Sequence, residues 1–204
     1  MATRIRRTVE EARAVILDAA EHVLREVGPA GMRIKDVAKR AGMAHPNVIH
    51  HFGSREGLLC ALTERTTSRV TDRVVRAMGV AMEAGASETE DRVETLARIL
   101  DAVYEGDQGR LLAWLIISGR VEGVEKPDLE PLVAITHAWR TSAIGPADLD
   151  DTRRLVLLAS LALLGDAIAG EGLVESLQLG EGESGRKAFR TWLASFIIEQ
   201  ISRE

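Results

Sequence analysis

Three of the chain's five histidines, His45, His50 and His51, stand within one short run, His45-Pro46-Asn47-Val48-Ile49-His50-His51-Phe52. Imidazoles change charge near neutral pH, so residues spaced like this can meet phosphates or base edges. Asn47 adds a carboxamide able to pair with adenine N6 and N7, or to cap the local backbone. Pro46 suits the first turn of a helix, where its missing N–H is no loss, and its ring can touch a thymine methyl. With Ala44, and with Arg33, Lys35 and Arg55 as sources of positive charge, these residues form a candidate nucleic-acid contact set. Lys39 and Arg40 read as solvated. Two other readings stay open: ordinary surface residues on a short helix, or a zinc site. The second is weak, because no carboxylate or cysteine lies among the histidines at ligand spacing.

The elements around this set must position it. An amphipathic segment, Ile34 to Ala41, stops at Gly42, and a second short segment restarts at about His45 and runs to Phe52. Two helices joined by a glycine-containing turn of about three or four residues form the helix-turn-helix pattern. In that pattern the second helix can enter the major groove, where each base pair shows its own donors and acceptors.

The 204 residues include 46% apolar side chains but only 3% aromatic ones, and five prolines. That balance predicts an all-α protein with a sizeable core. A single cysteine, Cys60, excludes an internal disulfide and a cysteine-based zinc site. The lone cysteine, and charge rather than an apolar stretch after Arg4, Arg6 and Arg7, point to the cytoplasm. The longest apolar runs, such as Leu155 to Leu164, read as too short to span a bilayer, so no membrane is expected. The net charge is −5, unevenly spread: residues 1–67 hold 11 basic and 8 acidic side chains, a balance of +3, and the remainder carries −8. The positive bias lies around the proposed reading unit. No glycine-rich phosphate loop or His-Glu-x-x-His motif is present, so an enzyme is not expected. Neither a cofactor nor a metal is implied.

About nine helices are expected. Thr8 and Glu11 have capping-box spacing for the first, with Ile16, Ala20, Val23 and Val27 on one face and Gly28-Pro29 as its end. Ser54 is placed to cap a long fourth helix carrying Leu58, Leu62, Val70, Val74, Met78 and Ala81 on one side. Ser87 and Glu90 form a second capping-box pair before a fifth helix. Leu111 to Ile117 is apolar all round, which predicts burial. Gly119 to Pro127 reads as a loop, Asp128 as the cap of a seventh helix reaching Ile144, and Asp148 as the start of an eighth. Gly180 to Gly185 reads as a flexible linker before a last helix at about 185–202.

Ala19-Ala20, Gly28, Val37-Ala38, Ala41-Gly42, His51-Phe52, Ser54, Glu56 and Leu58-Leu59 occur in a recognisable order. On these residues the first 65 positions resemble the TetR family of bacterial transcription regulators. Three positions depart from the family's pattern. Its reading-helix tyrosine, a phosphate contact, is Ile49; its lysine after the serine is Arg55; its Ser or Thr opening the second helix is Arg33. Arg33, His50 or Arg55 could replace the lost contact.

The resemblance implies a DNA-binding domain at residues 1–53 and a ligand-binding and dimerisation domain at 54–204. It implies a homodimer on a double-stranded, palindromic DNA operator, acting as a repressor released by a small-molecule effector. The helices that surround a ligand in this family would carry Tyr104, Trp114, His137 and Trp139, each of which reads equally as core. Arg110, Arg120 and Arg140 could meet an acidic ligand but read first as surface residues. Asp166 interrupts an apolar face and needs a partner: a ligand, an arginine of the last helix or a second subunit. Ala162, Gly165 and Ala169 would let a twin helix approach, with Phe189, Trp192 and Phe196 beside them, as in a four-helix dimer contact. A helical scaffold without DNA binding is the alternative, since helix-turn-helix shapes recur in other roles.

Overall fold

A computed structural model describes residues 8–84, 89–103, 108–118 and 128–201. The chain orders as α1 (Val9–Gly31), α2 (Ile34–Ala41), α3 (His45–Phe52), α4 (Arg55–Ala84), α5 (Thr89–Ala102), α6 (Gln108–Ser118), α7 (Glu130–Ile144), α8 (Leu149–Ser176) and α9 (Gly182–Ile201). No strand occurs among the described residues. Tyr104, the Gly119–Pro127 loop and the Ser87 cap lie outside them.

The described residues fall into two compact units. The first comprises residues up to Thr66 together with α6 from Trp114; the second comprises the described residues from Thr67 to Ala113 and those after Pro127. The division differs from a cut after residue 53. Its cause is the first third of α4, where Leu58, Leu59 and Leu62 are buried. There Arg65 also reaches α1, at 2.6 Å from Asp18 and 2.9 Å from Glu21. A helix continuous through a boundary carries no linker signature.

In the first unit α1 opens on the expected capping box: Thr8 Oγ1 accepts from Glu11 N–H, and the Glu11 carboxylate accepts from Thr8 N–H. Ile16, Ala20 and Val23 are buried, but Val27 is 53% exposed on the last turn before a kink. Gly28 makes that kink (φ 70°, ψ 172°), a region that favours glycine, and one further helical turn follows it. Ser54 caps α4 by accepting from Gly57 N–H. Along α4 the buried positions run Leu58, Leu62, Thr66, Val70, Val74 and Met78. This is an unbroken i, i+4 stripe in which Thr66 satisfies its hydroxyl on the Leu62 carbonyl.

The core of the second unit joins Val74 and Met78 of α4, Leu96 and Leu100 of α5, Trp139 of α7, Leu163 of α8, and Leu193, Ala194, Ile197 and Ile198 of α9. The helices α5 and α8 both pack on α9. Across them runs an ion cluster. Arg190 is 2% exposed and donates to Asp101 on α5, to Asp166 on α8 at 3.0 Å, and to Glu183 on its own helix. Arg186 donates to both oxygens of the same Asp166. Burial opposes the charge on Arg190, but hydrogen bonds to Glu183, Asp101 and Asp166 outweigh it and hold its pKa above the ordinary arginine value. Gly170 makes room for the cluster: a Cβ there would overlap Asp166 Oδ1.

Three expectations are corrected. The stretch read as a flexible linker is shorter and close-packed: α9 starts at Gly182, and a Cβ on Gly180 would lie 2.8 Å from Gly185 Cα, so these glycines serve close approach. The helix α6 is not buried all round; Leu111, Ala113 and Leu115 are, while Ile116 is 46% exposed. The cap of α7 sits at Leu129, and Asp128 instead accepts from Glu130 N–H at 3.1 Å.

Candidate nucleic-acid interface

The turn between α2 and α3 depends on one residue. Gly42 is left-handed (φ 64°, ψ 34°), and its N–H together with that of Met43 returns to the Ala38 and Lys39 carbonyls. This closes α2 with a reversed turn that a side chain at Gly42 would strain. Met43 and Ala44 complete a three-residue connection, and Ala44 is the extended N-cap of α3. Neither α2 nor α3 has a side-chain cap at its N-terminus. The local-cap reading of Asn47 therefore loses its support: its amide N–H bonds Ala44 O at 2.9 Å, and its side chain is exposed.

The helix α3 turns one anchor inward, Val48 at 0% exposure. Ala44, His45, Pro46, Asn47 and His50 are exposed, as are Arg33 and Lys35 at the start of α2. Thus seven of the nine candidate contact residues stand at the surface of one unit. His51 and Arg55 are half-buried. The His51 ring packs edge-on to His50 and tilted against Phe52, with centroids at 5.5 and 6.5 Å. Arg55 Nε donates to Met32 O at 3.1 Å, and its Nη1 lies 3.7 Å from Glu56. Arg55 thus ties the start of α4 to the α1–α2 junction, a role its sequence position did not announce.

Two residues that escaped the sequence reading, Gly57 and Arg13, shape this region, and so does Arg40, which reads as solvated in sequence. Gly57 lets α4 approach α3 closely, since a Cβ there would overlap Phe52 O. Arg40 meets Glu26 at 2.6 Å, joining α2 to α1 rather than to solvent alone. Arg13 on α1 donates to the His51 carbonyl, and its guanidinium carbon lies 4.3 Å from the Phe52 ring centroid. Only a motif-independent, long-range argument could have found these contacts.

Among the described residues, the candidate ligand residues are divided between the two units. Trp114 belongs to the first unit, while His137, Trp139 and Asp166 belong to the second. Trp139 is 5% exposed inside the core, so it serves as a core residue. The partner that Asp166 needed is arginine of the last helix, twice over, one of the three partners the sequence leaves open. His137 Nδ1 lies 3.0 Å from Thr152 Oγ1. Arg140 reads as surface in sequence but is 1% exposed, donating to Thr152 and to Asp151 at 2.9 and 2.8 Å.

A second surface stands out. Leu157, Leu161 and Ile168 of α8 are 57%, 59% and 53% exposed, and Trp192 of α9 is 59% exposed. Phe189, Trp192 and Phe196 stack in sequence along α9, with centroids at 6.1 and 5.6 Å. Gly165 and Ala169 are exposed among the leucines, whereas Ala162 is half-buried against the core. An 18-residue window of α8 has a mean hydropathy of 1.6, long and apolar enough to cross a membrane by length and composition.

Comparison with known proteins gives this geometry its context. Residues 16–62 match the model of the tetR family of bacterial regulatory proteins. An HTH-type transcriptional repressor of Mycobacterium tuberculosis (strain ATCC 25618 / H37Rv) is 31% identical over 125 residues, 51% of this chain and 66% of the relative. The HTH-type transcriptional regulator BetI of Rhizobium meliloti (strain 1021) is 28% identical, over 56% of this chain and 54% of its own length. The chain thus spans just under two thirds of the first relative and about half of the second. Among solved structures, a protein of unknown function from Rhodococcus sp. RHA1 superposes with a TM-score of 0.65 at 23% identity, over 99% of this chain and 98% of the other. A single-residue variant of TetR from Acinetobacter baumannii AYE, in complex with minocycline, superposes with a TM-score of 0.61 at 15% identity, over 93% and 96%. At these identities the structures speak for the fold.

Proposed function

We propose that the chain, whose residues 16–62 match the model of the tetR family of bacterial regulatory proteins, is a dimeric DNA-binding transcription regulator, a repressor released from a palindromic operator by a small molecule. The observation that carries the DNA-binding part is the exposed edge of α3: one buried anchor, Val48, with His45, Pro46, Asn47 and His50 facing out beside two uncapped helix starts. Uncapped first-turn amides suit phosphate oxygens, and the exposed amide and imidazoles suit base edges and backbone. Arg33 and Lys35 add phosphate charge, with His51 and Arg55 at the margin.

One reading unit discriminates too few base pairs for a genome, so two must be coupled. The exposed apolar ridge of α8 with the aromatic row of α9 supports a self-complementary contact between two copies. The effector acts by binding better to a state whose reading helices are wrongly spaced. The role is regulatory rather than catalytic, and DNA as partner places it in the cytoplasm.

Selection from a randomised duplex library tests the reading. The expected product is a two-fold symmetric sequence with half-site centres about one helical turn apart, ~34–36 Å, bound with strong salt dependence. Failure to enrich any sequence would leave the helical scaffold as the better reading.

A further inference from the structure

The reading helix is short. Eight residues of α-helix do not hold their shape alone, so its attitude depends on what grips it. Its last four carbonyls have no partner within the helix. Ile49 O takes Gly53 N–H at 2.7 Å and Phe52 O takes Ser54 N–H at 2.8 Å, both local. His51 O takes Arg13 Nη1, from 38 residues away on α1. The same guanidinium sits 4.3 Å from the Phe52 ring centroid, within the range of a cation–π contact. One side chain therefore grips both the backbone and the last aromatic ring of α3, at the end opposite Ala44, Pro46 and Asn47.

We infer that Arg13 is a positioning residue for DNA reading: it sets the tilt of α3 through His51 and Phe52 and thereby places Asn47. The lever is direct. Asn47 lies four residues, about 6 Å, from His51 along the helix axis, so a tilt of roughly 10° about the gripped end shifts it by ~1 Å. Hydrogen-bond distances vary by only a few tenths of an ångström, so a shift of that size removes a bidentate base contact. The inference rests on the DNA-binding reading above. It differs from a phosphate contact by Arg13 itself, in which the guanidinium would act by charge alone.

The test uses the full-length chain with two probes: a duplex enriched by the wild-type chain from a randomised library, and a scrambled duplex of the same composition. Arg13→Met should lower the affinity ratio between them about tenfold, with the salt slope on the scrambled duplex unchanged. Phe52→Leu should act on the same ratio, and the double variant should cost less than the two single losses combined. Hydrogen exchange at the α3 amides should quicken in Arg13→Met without any DNA present. If Arg13→Met fails to keep its helical circular dichroism, Arg13→Lys and Phe52→Leu carry the measurement. The lysine should restore part of the ratio, because it keeps the cation over the ring but not the guanidinium fork. A salt slope reduced by about one unit with the ratio preserved would make Arg13 a phosphate contact and overturn the inference. An unchanged ratio in a folded Arg13→Met would overturn it too. If the wild type enriches no duplex, the DNA-binding reading fails first and this inference falls with it.

Discussion

Leu161 offers the sharpest test of how two copies meet. It is 59% exposed on α8, flanked by Leu157 and Ile168, and pointed away from the core that Leu163 enters. Fully burying a leucine is worth about 1.5–3 kcal/mol, so covering the exposed portion is worth roughly 1–2 kcal/mol per copy. A two-fold contact holds the residue twice, giving about 2–4 kcal/mol per dimer. At about 1.4 kcal/mol per tenfold, Leu161→Ala should raise the dimer dissociation constant roughly thirtyfold to seven-hundredfold. Leu161→Arg should go further, since an unpaired charge in a closed contact costs several kcal/mol. Sedimentation equilibrium reads the constant, and circular dichroism checks the fold, which an exposed side chain should scarcely affect. The outcome that sinks the reasoning is a folded Leu161→Arg that remains dimeric at micromolar concentration. The same change at Ala162 would be less informative, because that residue is half-buried against its own core and would confound folding with association.

Other outcomes follow from the two units. Asn47→Ala should cost about 1–3 kcal/mol on the selected duplex and relax preference at one base pair; unchanged selectivity in a competition gel shift would remove Asn47 from base reading. Exposed His45 and His50 should cost affinity on the selected duplex when both are replaced by Gln, because imidazole N–H groups donate to phosphate oxygens and base edges. Affinity unchanged in that double variant would assign both to the bare surface. Arg190→Met strips a buried partner from Asp166 and should destabilise by about 3–5 kcal/mol, lowering Tm by roughly 6–20 °C for a domain of this size; calorimetry showing a shift under about 2 °C would mean that Arg186 alone compensates the carboxylate.

The local part of this structure was legible in the chain. A left-handed Gly42, a Thr8–Glu11 capping box and the i, i+4 stripe of α4 each rest on neighbours within a turn or two, where residue type and spacing carry the physics. The contacts that fix the elements of each unit together were not. Arg13 meets His51 across 38 residues, and Arg190 meets Asp101 across 89. No spacing rule reaches that far. Glycine misled in one place for a related reason: between 180 and 185 it marks backbone crowded against backbone, while composition alone reads it as slack.

The helix α8 shows why the candidate sites were harder to read than the fold. Its apolar residues occur on nearly every side, so periodicity cannot say which face meets the core and which a partner. The pattern places Ala162, Gly165 and Ala169 together as a small-residue ridge. In the structure Ala162 leans inward while Leu157, Leu161 and Ile168 stand out with Gly165 and Ala169. The same composition passes for a membrane span, yet the neighbouring surface argues for protein. On the buried side Asp166 is held by two arginines, and on the exposed side Arg153 and Arg154 stand one turn before Leu157 and Glu171 one turn after Ile168. Lipid would meet those charges together with the leucines, and a charge in hydrocarbon is costly. In the proposed pairing a second copy of α8 and α9 would meet the leucines and aromatic rings on one face and leave the charges at the rim in water. The two faces of α8 then have separate reasons to be apolar, one for folding and one for pairing, and that double demand is what makes the helix look like neither in sequence.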